Sequence, residues 1–424
     1  MRPSVPVAAV KALALSCGFD VVGITTADPF PEAEEAMLAR LPHLKPLSWL
    51  TPARIRLACH PRTLMPSARS IVAIAARYSS VIPQTMPQTK RDASTFPYPV
   101  REGEEASEEQ PAIQGRFARY AWGPDYHAIL ADRLRQLVVR LRELAGSGLE
   151  ARVFVDTGPL AERAVALRAG LGWQGKNCTL LTPEHGSWVV LGEVLVNLEL
   201  EPDVPSCLSL VRGEGKTGLA IEGRKGAGGL SGEVAPCAGC DLCLRACPTG
   251  ALCAPRTVDV SRCLSYLTIE HRGAIPRDLR PALGNRVFGC DICQEVCLVN
   301  RGLEPPMATL FPPNPCLGPT VNLLSLVSMS EEDFRRRFAN SAVRRAKRAG
   351  LRRNAAVALG NYGDERAIQA LISLLKDPDP LLREHVAWAL GRIGGSAARR
   401  ALGEAWSGEV ASAVRAEIEW ALSR

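Results

Sequence analysis

The apolar residues of this chain recur with two different periods, and the change between them marks the elements. Residues 5–17 carry an apolar run at helical spacing, and Gly18 closes it. Phe19 to Thr25 reads as a short strand. Ser70-Ile71-Val72-Ala73-Ile74-Ala75-Ala76 is apolar throughout, which predicts a strand buried on both faces. Tyr126 to Leu144 is an amphipathic helix with an Arg-rich outer face. A strand follows at Ala151 to Val155, and Asp156-Thr157-Gly158-Pro159 stands at its end. Leu160 to Leu167 is helical, with Pro159 suited to its first turn. Trp188 to Leu195 is a further strand. Strands alternating with helices predict an α/β layered domain over residues 1–205.

The texture then changes. Residues 81–113 are rich in Pro, Thr and Glu and read as a surface loop inside the first domain. Residues 206–234 form a Gly-rich linker or insertion, and 235–305 a small cysteine-rich domain. A second linker spans 306–334. In the last segment, 335–424, Arg352 to Gly360 is echoed by Arg383 to Gly391 and again by Arg415 to Leu422, at spacings of 31 and then 32 residues. That is a short stack of helix pairs of HEAT type, which builds a common core only by stacking. The expected fold class is a multidomain α+β or α/β protein with a ferredoxin-like domain and C-terminal α-helical HEAT-like repeats.

At 424 residues there is room for two or three cores, and 46% hydrophobic with 22% charged residues is ordinary for a globular protein. No apolar run is long enough for a membrane span, and the N-terminal stretch lacks a signal-peptide pattern. The 14 cysteines therefore read as metal ligands in a reducing cytoplasm rather than as disulfides.

Their spacing is specific. Cys237, Cys240, Cys243 and Cys247 precede Pro248 in a C-x2-C-x2-C-x3-C-P run, and Cys290, Cys293 and Cys297 form C-x2-C-x3-C. The first is the bacterial ferredoxin run, in which three thiolates hold one [4Fe-4S] cubane and the fourth reaches another. The crossed pattern places one cluster on Cys237, Cys240, Cys243 and Cys297. The other falls to Cys247, Cys290 and Cys293 with one cysteine from between the blocks, and Cys263 is preferred to Cys253, which follows the first block too closely. Zinc also takes C-x2-C pairs, but four thiolates so closely packed and closing on Cys-Pro suit a cubane better.

Nine basic residues and no acidic one lie between 335 and 353, so Arg344, Arg345, Lys347, Arg348, Arg352 and Arg353 are expected to face phosphates. Aromatic residues are sparse there, which favours backbone contact over base reading. No Gly-x-Gly-x-x-Gly or Walker loop is present, so nicotinamide and nucleotide-phosphate sites are unsupported. Asp156, at a strand's carboxyl end, is the candidate acid, although a turn or helix N-cap aspartate would look the same. The Gly-rich stretch 170–177 could let backbone approach a large flat ligand, or be merely a tight loop.

Together these residues resemble the epoxyqueuosine reductases, a family of cobalamin-dependent iron–sulfur enzymes of tRNA modification. The markers are Val155 to Pro159 with Glu162-Arg163-Ala164, Gly170 to Trp173, Gly175-Lys176-Asn177, Gly186-Ser187-Trp188 and Leu198 to Asp203. Both cysteine blocks, Cys263 to Thr268 and Gly284-Asn285-Arg286 complete the pattern. The resemblance implies reduction of epoxyqueuosine to queuosine in the anticodon stem-loop of tRNA, with electrons passing from two [4Fe-4S] clusters to base-off cobalamin. By motif position it implies Asp156 as proton donor. It also implies cobalamin contacts at Arg56, Ala118, Asp156, Leu180, Thr182, Leu191, Ser265 and Asp291. Ala118 stands where some members carry a cysteine. A monomer served by an external donor such as flavodoxin or ferredoxin is expected. The alternative reading is a corrinoid reductive dehalogenase. The basic segment, the helical repeats and the lack of a twin-arginine signal argue against it.

Overall fold

The computed structural model describes residues 5–78, 112–203, 237, 239–303, 310–311 and 317–424. The Gly-rich stretch 206–234, Cys207 and Cys316 lie outside the described residues, as does the loop at 81–113 apart from its last two residues. The chain divides into two compact units interleaved along the sequence. One comprises Met1–Ser80, Asp125–Ser261 and Ile292–Pro312, the other Val81–Pro124, Arg262–Asp291 and Pro313–Arg424. The stretch 235–305, expected as one domain, contributes Cys237 to Cys253, Cys293 and Cys297 to the first unit and Cys263 and Cys290 to the second.

The first unit is built on four strands, β1 (Val21–Thr26), β2 (Ser70–Arg77), β3 (Ala151–Phe154) and β4 (Val189–Val196), in the order β1-β2-β4-β3. Every neighbouring pair is antiparallel, with Ala73 and Phe154 flanking Glu193 in register. The sheet is thus of α+β rather than parallel α/β type. The expectation that Asp156 marks a ligand site by the strand-end rule of parallel sheets loses its basis, and its role has to be argued from its contacts.

Seven of eight β2 residues are buried because helices cover both faces. On one face α2 (Tyr126–Ala145) lays down Leu130, Leu134, Leu137, Val138 and Leu141, with α1 (Val7–Ser16) beside it. On the other, Val165 and Ala166 of α3 (Glu162–Arg168) pack with Ile71, Ala73, Ala75, Phe154 and Leu195. Two-sided cover explains why an antiparallel strand reads as one unbroken apolar run. Asp203 completes this layer, its carboxylate accepting from the Ile24 N–H and from Lys11 Nζ.

In the second unit the three sequence echoes are the helices α4 (Lys347–Tyr362), α5 (Pro380–Ile393) and α6 (Ser412–Leu422), stacked α4 on α5 on α6. The recurrent glycine of the echo has a steric cause. A Cβ on Gly391 would lie 2.5 Å from Ala421 Cβ, and one on Gly360 would lie 2.8 Å from Ala389 Cα. Gly391→Val is therefore expected to lower stability by about 1–3 kcal/mol through overpacking. Thermal unfolding followed by circular dichroism checks this, and an unchanged midpoint would contradict the close packing of α5 on α6. Among the described residues no helix is long and apolar enough to cross a membrane.

Candidate active site and cluster-binding cysteines

Asp156 follows β3 with a left-handed backbone, φ 40°, rare for a residue with a side chain and tolerated best by Asp and Asn. Its carboxylate does not cap α3, whose N-cap residue is Ala161. Instead Oδ2 accepts the Tyr126 hydroxyl at 2.9 Å and pairs with His127 Nε2 at 2.8 Å. Helix α2 supplies both partners because Asp125, its N-cap, holds the first turn by accepting the His127 N–H. The Tyr126 and His127 rings stack at 4.0 Å between centroids.

His127 meets a carboxylate on each ring nitrogen, with Nδ1 2.7 Å from Asp125 Oδ1. Two acceptors require two N–H donors, so the geometry selects the imidazolium. Burial opposes that charge, but the hydrogen bonds and charges of Asp125 and Asp156 prevail and raise its pKa to about 9. The His127 hydrogen bond in turn outweighs burial and holds the Asp125 carboxyl below its ordinary range.

Two further acids lie beneath. Glu162, in the first turn of α3, is pushed up to about 8 by burial and by the Asp156 charge. Glu193, on β4, is 1% exposed, and burial followed by the charges of Glu162 and Asp156 raises it well above the ordinary carboxylate range. The sequence reading missed Tyr126, His127, Glu162 and Glu193 as functional groups. Asp125-Tyr126-His127 at a helix start, and a glutamate inside an otherwise apolar strand, were the available signals.

The same unit gathers Cys237, Cys240, Cys243 and Cys297 around one cavity, with Lys176, Asn177, Leu181, Leu242, Leu298 and Val299 completing its wall. Burial pushes the Cys243 thiol up to about 11, and the charges of Cys237, Cys240 and Cys297 add to the effect. Four thiols crowded this closely suit a polynuclear cation, which relieves their repulsion, so the residues present fit one cubane. The described residues hold no group of three His, Cys, Asp or Glu placed for a single ion, and a cubane needs none because its thiolates sit on different irons.

The Gly-rich loop 170–177 ties down the cysteines. Lys176 Nζ donates to the Cys240 carbonyl at 2.7 Å and Asn177 Nδ2 to the Cys293 carbonyl at 3.3 Å. Ser187 and Asn300 are paired through the Ser187 N–H and hydroxyl, and Asn300 Nδ2 also reaches the Gln294 carbonyl. The Gly175–Asn177 and Gly186–Trp188 markers thus position the cysteine loops. Cys247 has a different setting: burial opposes ionisation, yet N–H groups of Leu252, Thr249 and Ala251 with the Thr249 hydroxyl draw its pKa down. Such donors stabilise a ligating sulfur. Cys253 is exposed on a short strand with its thiol near the Thr257 carbonyl. In the second unit Cys263 is the N-cap residue of the helix Leu264–Ile269.

The expected cofactor contacts fare unequally. Leu191 packs half-buried against the core and Leu180 is buried in it. Thr182 is fully buried, its hydroxyl donating to the Gly186 carbonyl and accepting from the His185 N–H, so it has no side-chain polar group to offer. Arg56 is exposed, 3.7 Å from Glu34. In the second unit Ala118 is buried, Ser265 half-buried, and Asp291 accepts the Arg119 N–H.

The basic segment needs correction at two positions. Arg353 is 0% exposed, donating to the carbonyls of Leu267, His271 and Gly273 and to Asn354 Oδ1. Arg352 is buried on the Val327 carbonyl and Asp377. Both cross-link the repeat unit and neither can reach a phosphate. The sequence showed no acid within the segment, but their partners lie outside it. Arg344, Arg345 and Lys347 remain exposed and Arg348 half-exposed, with Arg345 paired to Glu270 and Arg348 to Glu331.

Residues 59–157 match a family model described as epoxyqueuosine reductase QueG, 236–300 one described as a 4Fe-4S double cluster binding domain, and 340–423 one described as HEAT repeats. An epoxyqueuosine reductase of Bacillus cereus is 35% identical over 94% of this chain and 92% of its own length. One of Escherichia coli is 36% identical over 90% and 88%. A crystal structure of epoxyqueuosine reductase with an epoxyqueuosine-modified tRNA-Tyr stem loop matches at a TM-score of 0.79 and 32% identity, covering 98% of this chain and 97% of that one. A second, from Bacillus subtilis, has its catalytic aspartate loop swung out of the active site, and matches at 0.78 and 32%, with 98% of each chain covered.

Proposed function

This chain belongs to the epoxyqueuosine reductase family, and from that premise we infer that it reduces epoxyqueuosine to queuosine at the wobble position of tRNA anticodons. The observation that carries the chemistry is the Asp156 carboxylate, held by a phenol and an imidazolium in a unit that also gathers four cysteines. Cys237, Cys240, Cys243 and Cys297 hold one [4Fe-4S] cluster, and Cys247, Cys263, Cys290 and Cys293 are proposed to hold the second. Cobalamin is the proposed further cofactor, with Leu191, Ser265 and Asp291 as contacts and Leu180 and Thr182 offering backbone. Arg344, Arg345, Lys347 and Arg348 are the proposed phosphate contacts for the stem-loop. We place the protein in the cytoplasm as a monomer, supplied by a low-potential donor such as flavodoxin or ferredoxin.

Removing an epoxide oxygen as water consumes two electrons and two protons. When bound, the corrinoid and clusters supply the electrons; the protons are this chain's concern. An alkoxide leaves poorly, and protonation by the Asp156 carboxyl makes the oxygen a leaving group. Tyr126 and His127 fix the direction of that carboxyl by holding Oδ2. His127, still protonated at neutral pH, stabilises the carboxylate once its proton has gone.

A pH dependence follows with a definite sign. The His127 pKa rises from 6.5 to about 9 on folding, so its contribution is complete below pH 6.5 and is lost as pH rises through about 9. The turnover rate of the wild type is expected to fall across that window, and His127→Gln to lack the fall. Rate profiles of the two proteins check it, and parallel profiles would contradict the assignment.

Binding and turnover test the reading separately. Hydroxocobalamin added to the anaerobically rebuilt protein is expected to change its visible spectrum on binding, and digested stem-loop to yield queuosine in place of epoxyqueuosine. An unchanged spectrum would leave a plain electron carrier. Binding without conversion would point to another reducible substrate.

A further inference from the structure

Cys263 and Cys290 stand at the two ends of one stretch of chain in the second unit. The helix Leu264–Ile269 follows Cys263, and the short strand Arg286–Phe288 with Gly289 precedes Cys290. Thr268 joins the two flanks. Its hydroxyl donates to the Leu264 carbonyl at 2.7 Å and accepts the Gly289 N–H at 2.9 Å. Leu264 and Gly289 are the immediate chain neighbours of the two cysteines, and Thr268 is completely buried between them.

Helix α4 of the repeats adds a second tie across the same flanks. Asn354, also completely buried, donates from Nδ2 to the Thr268 carbonyl and to the Val287 carbonyl, each at 2.8 Å. One amide thus spends both N–H groups, one on the helix after Cys263 and one on the strand before Cys290. Its orientation is set in turn, because Oδ1 accepts from the Arg353 guanidinium, which also grips the carbonyls of Leu267, His271 and Gly273. The middle of the stretch has separate anchors. Asn361 of α4 donates to the Arg280 and Gly284 carbonyls, and His385 of α5 accepts the Ile275 N–H.

We propose that Thr268 and Asn354 form a clamp that fixes Cys263 relative to Cys290, which makes the repeats a scaffold for the second iron–sulfur cluster. Both are positioning residues, acting on the thiolates through the backbone beside them. The proposal rests on Cys263 and Cys290 being ligands of that cluster and adds what holds them. Hydrogen bonds behind the ligands keep them in the arrangement a metal centre requires. Loss of either side chain leaves buried backbone groups unpaired, and the flanks shift to recover partners. The cluster is then easier to dismantle. Cys237, Cys240, Cys243 and Cys297, the ligands of the first cluster, belong to the other unit and are outside the clamp.

Iron release to a chelator reads the clamp, on the complete protein rebuilt anaerobically with both clusters and kept without substrate. Thr268→Val keeps the shape of the side chain and loses the hydroxyl. About half of its iron is expected to leave at least tenfold faster than from wild type, and the rest at the wild-type rate. Asn354→Ala is expected to behave alike, and Thr268→Val carries the test if that variant fails to fold. Thr268→Ser retains the hydroxyl and is expected to restore slow release. Asn361→Ala, which frees only the middle of the stretch, is expected to lower the thermal midpoint and leave release unchanged. Wild-type release from Thr268→Val, equally fast release of all its iron, or fast release from Asn361→Ala would overturn the clamp. Cys263→Ala tests the assignment beneath it: loss of about half the iron supports the ligand, and full iron content would overturn it. No substrate is used, so either failure is distinct from a failure to reduce epoxyqueuosine.

Discussion

Asp156→Asn is expected to lower turnover by about 10²–10⁴-fold while leaving iron content and corrinoid binding unchanged. The substitution is chosen for its backbone. Asn tolerates positive φ almost as well as Asp, so the turn at φ 40° keeps its shape. The amide can still accept from Tyr126 and His127, so the local hydrogen bonds survive. What is lost is the acidic proton, together with the negative charge that helps keep His127 protonated. Single-turnover rates with pre-reduced protein separate the chemical step from electron delivery. A rate within a few-fold of wild type would remove Asp156 from the proton-donor role and leave His127 as the nearest protonated group.

Cys297→Ala is expected to be as severe by a different route. Cys297 closes the cavity lined by Cys237, Cys240 and Cys243 although it comes from the second cysteine block. Its loss opens one corner of a cubane. Iron should fall from about eight to about four per chain, and multiple turnover should stop because electrons no longer reach the second acceptor. The remaining cluster should persist, since its proposed ligands Cys247, Cys263, Cys290 and Cys293 are separate. Iron analysis and low-temperature paramagnetic resonance of the reduced protein read this. Full iron content in the variant would refute the crossed assignment. Cys253→Ala, at an exposed thiol outside both sets, should leave iron unchanged.

Some of this was legible from residues alone. Cysteine spacing is a local property of the backbone, so the four cysteines that line one cavity could be grouped before their convergence was seen. The repeat echo likewise found α4, α5 and α6, because a close helix contact writes a glycine at the same place twice, at Gly360 and Gly391. Alternation of strands and helices gave the elements of the first unit but not their direction. An antiparallel sheet covered on both faces has the same apolar run as a parallel one. Charge was the least legible signal. Arg352 and Arg353 look like their neighbours in the sequence, and only the carbonyls of Leu267, His271 and Gly273, far off in the chain, show that Arg353 is a buried cross-link. Glu193 was hidden for a related reason: one acid in an apolar strand is conspicuous only once its face of the sheet, and Glu162 on it, are known.

The mass of an intact epoxyqueuosine-bearing anticodon stem-loop, taken after anaerobic incubation with reductant, cobalamin and either wild type or Asp156→Asn, goes most directly to the centre. The structure predicts that the wild type strips one oxygen atom from the RNA while the variant, with its clusters intact, returns it unaltered. An RNA unchanged by fully loaded wild type, or deoxygenated equally by both proteins, would contradict an account in which Asp156 supplies the proton.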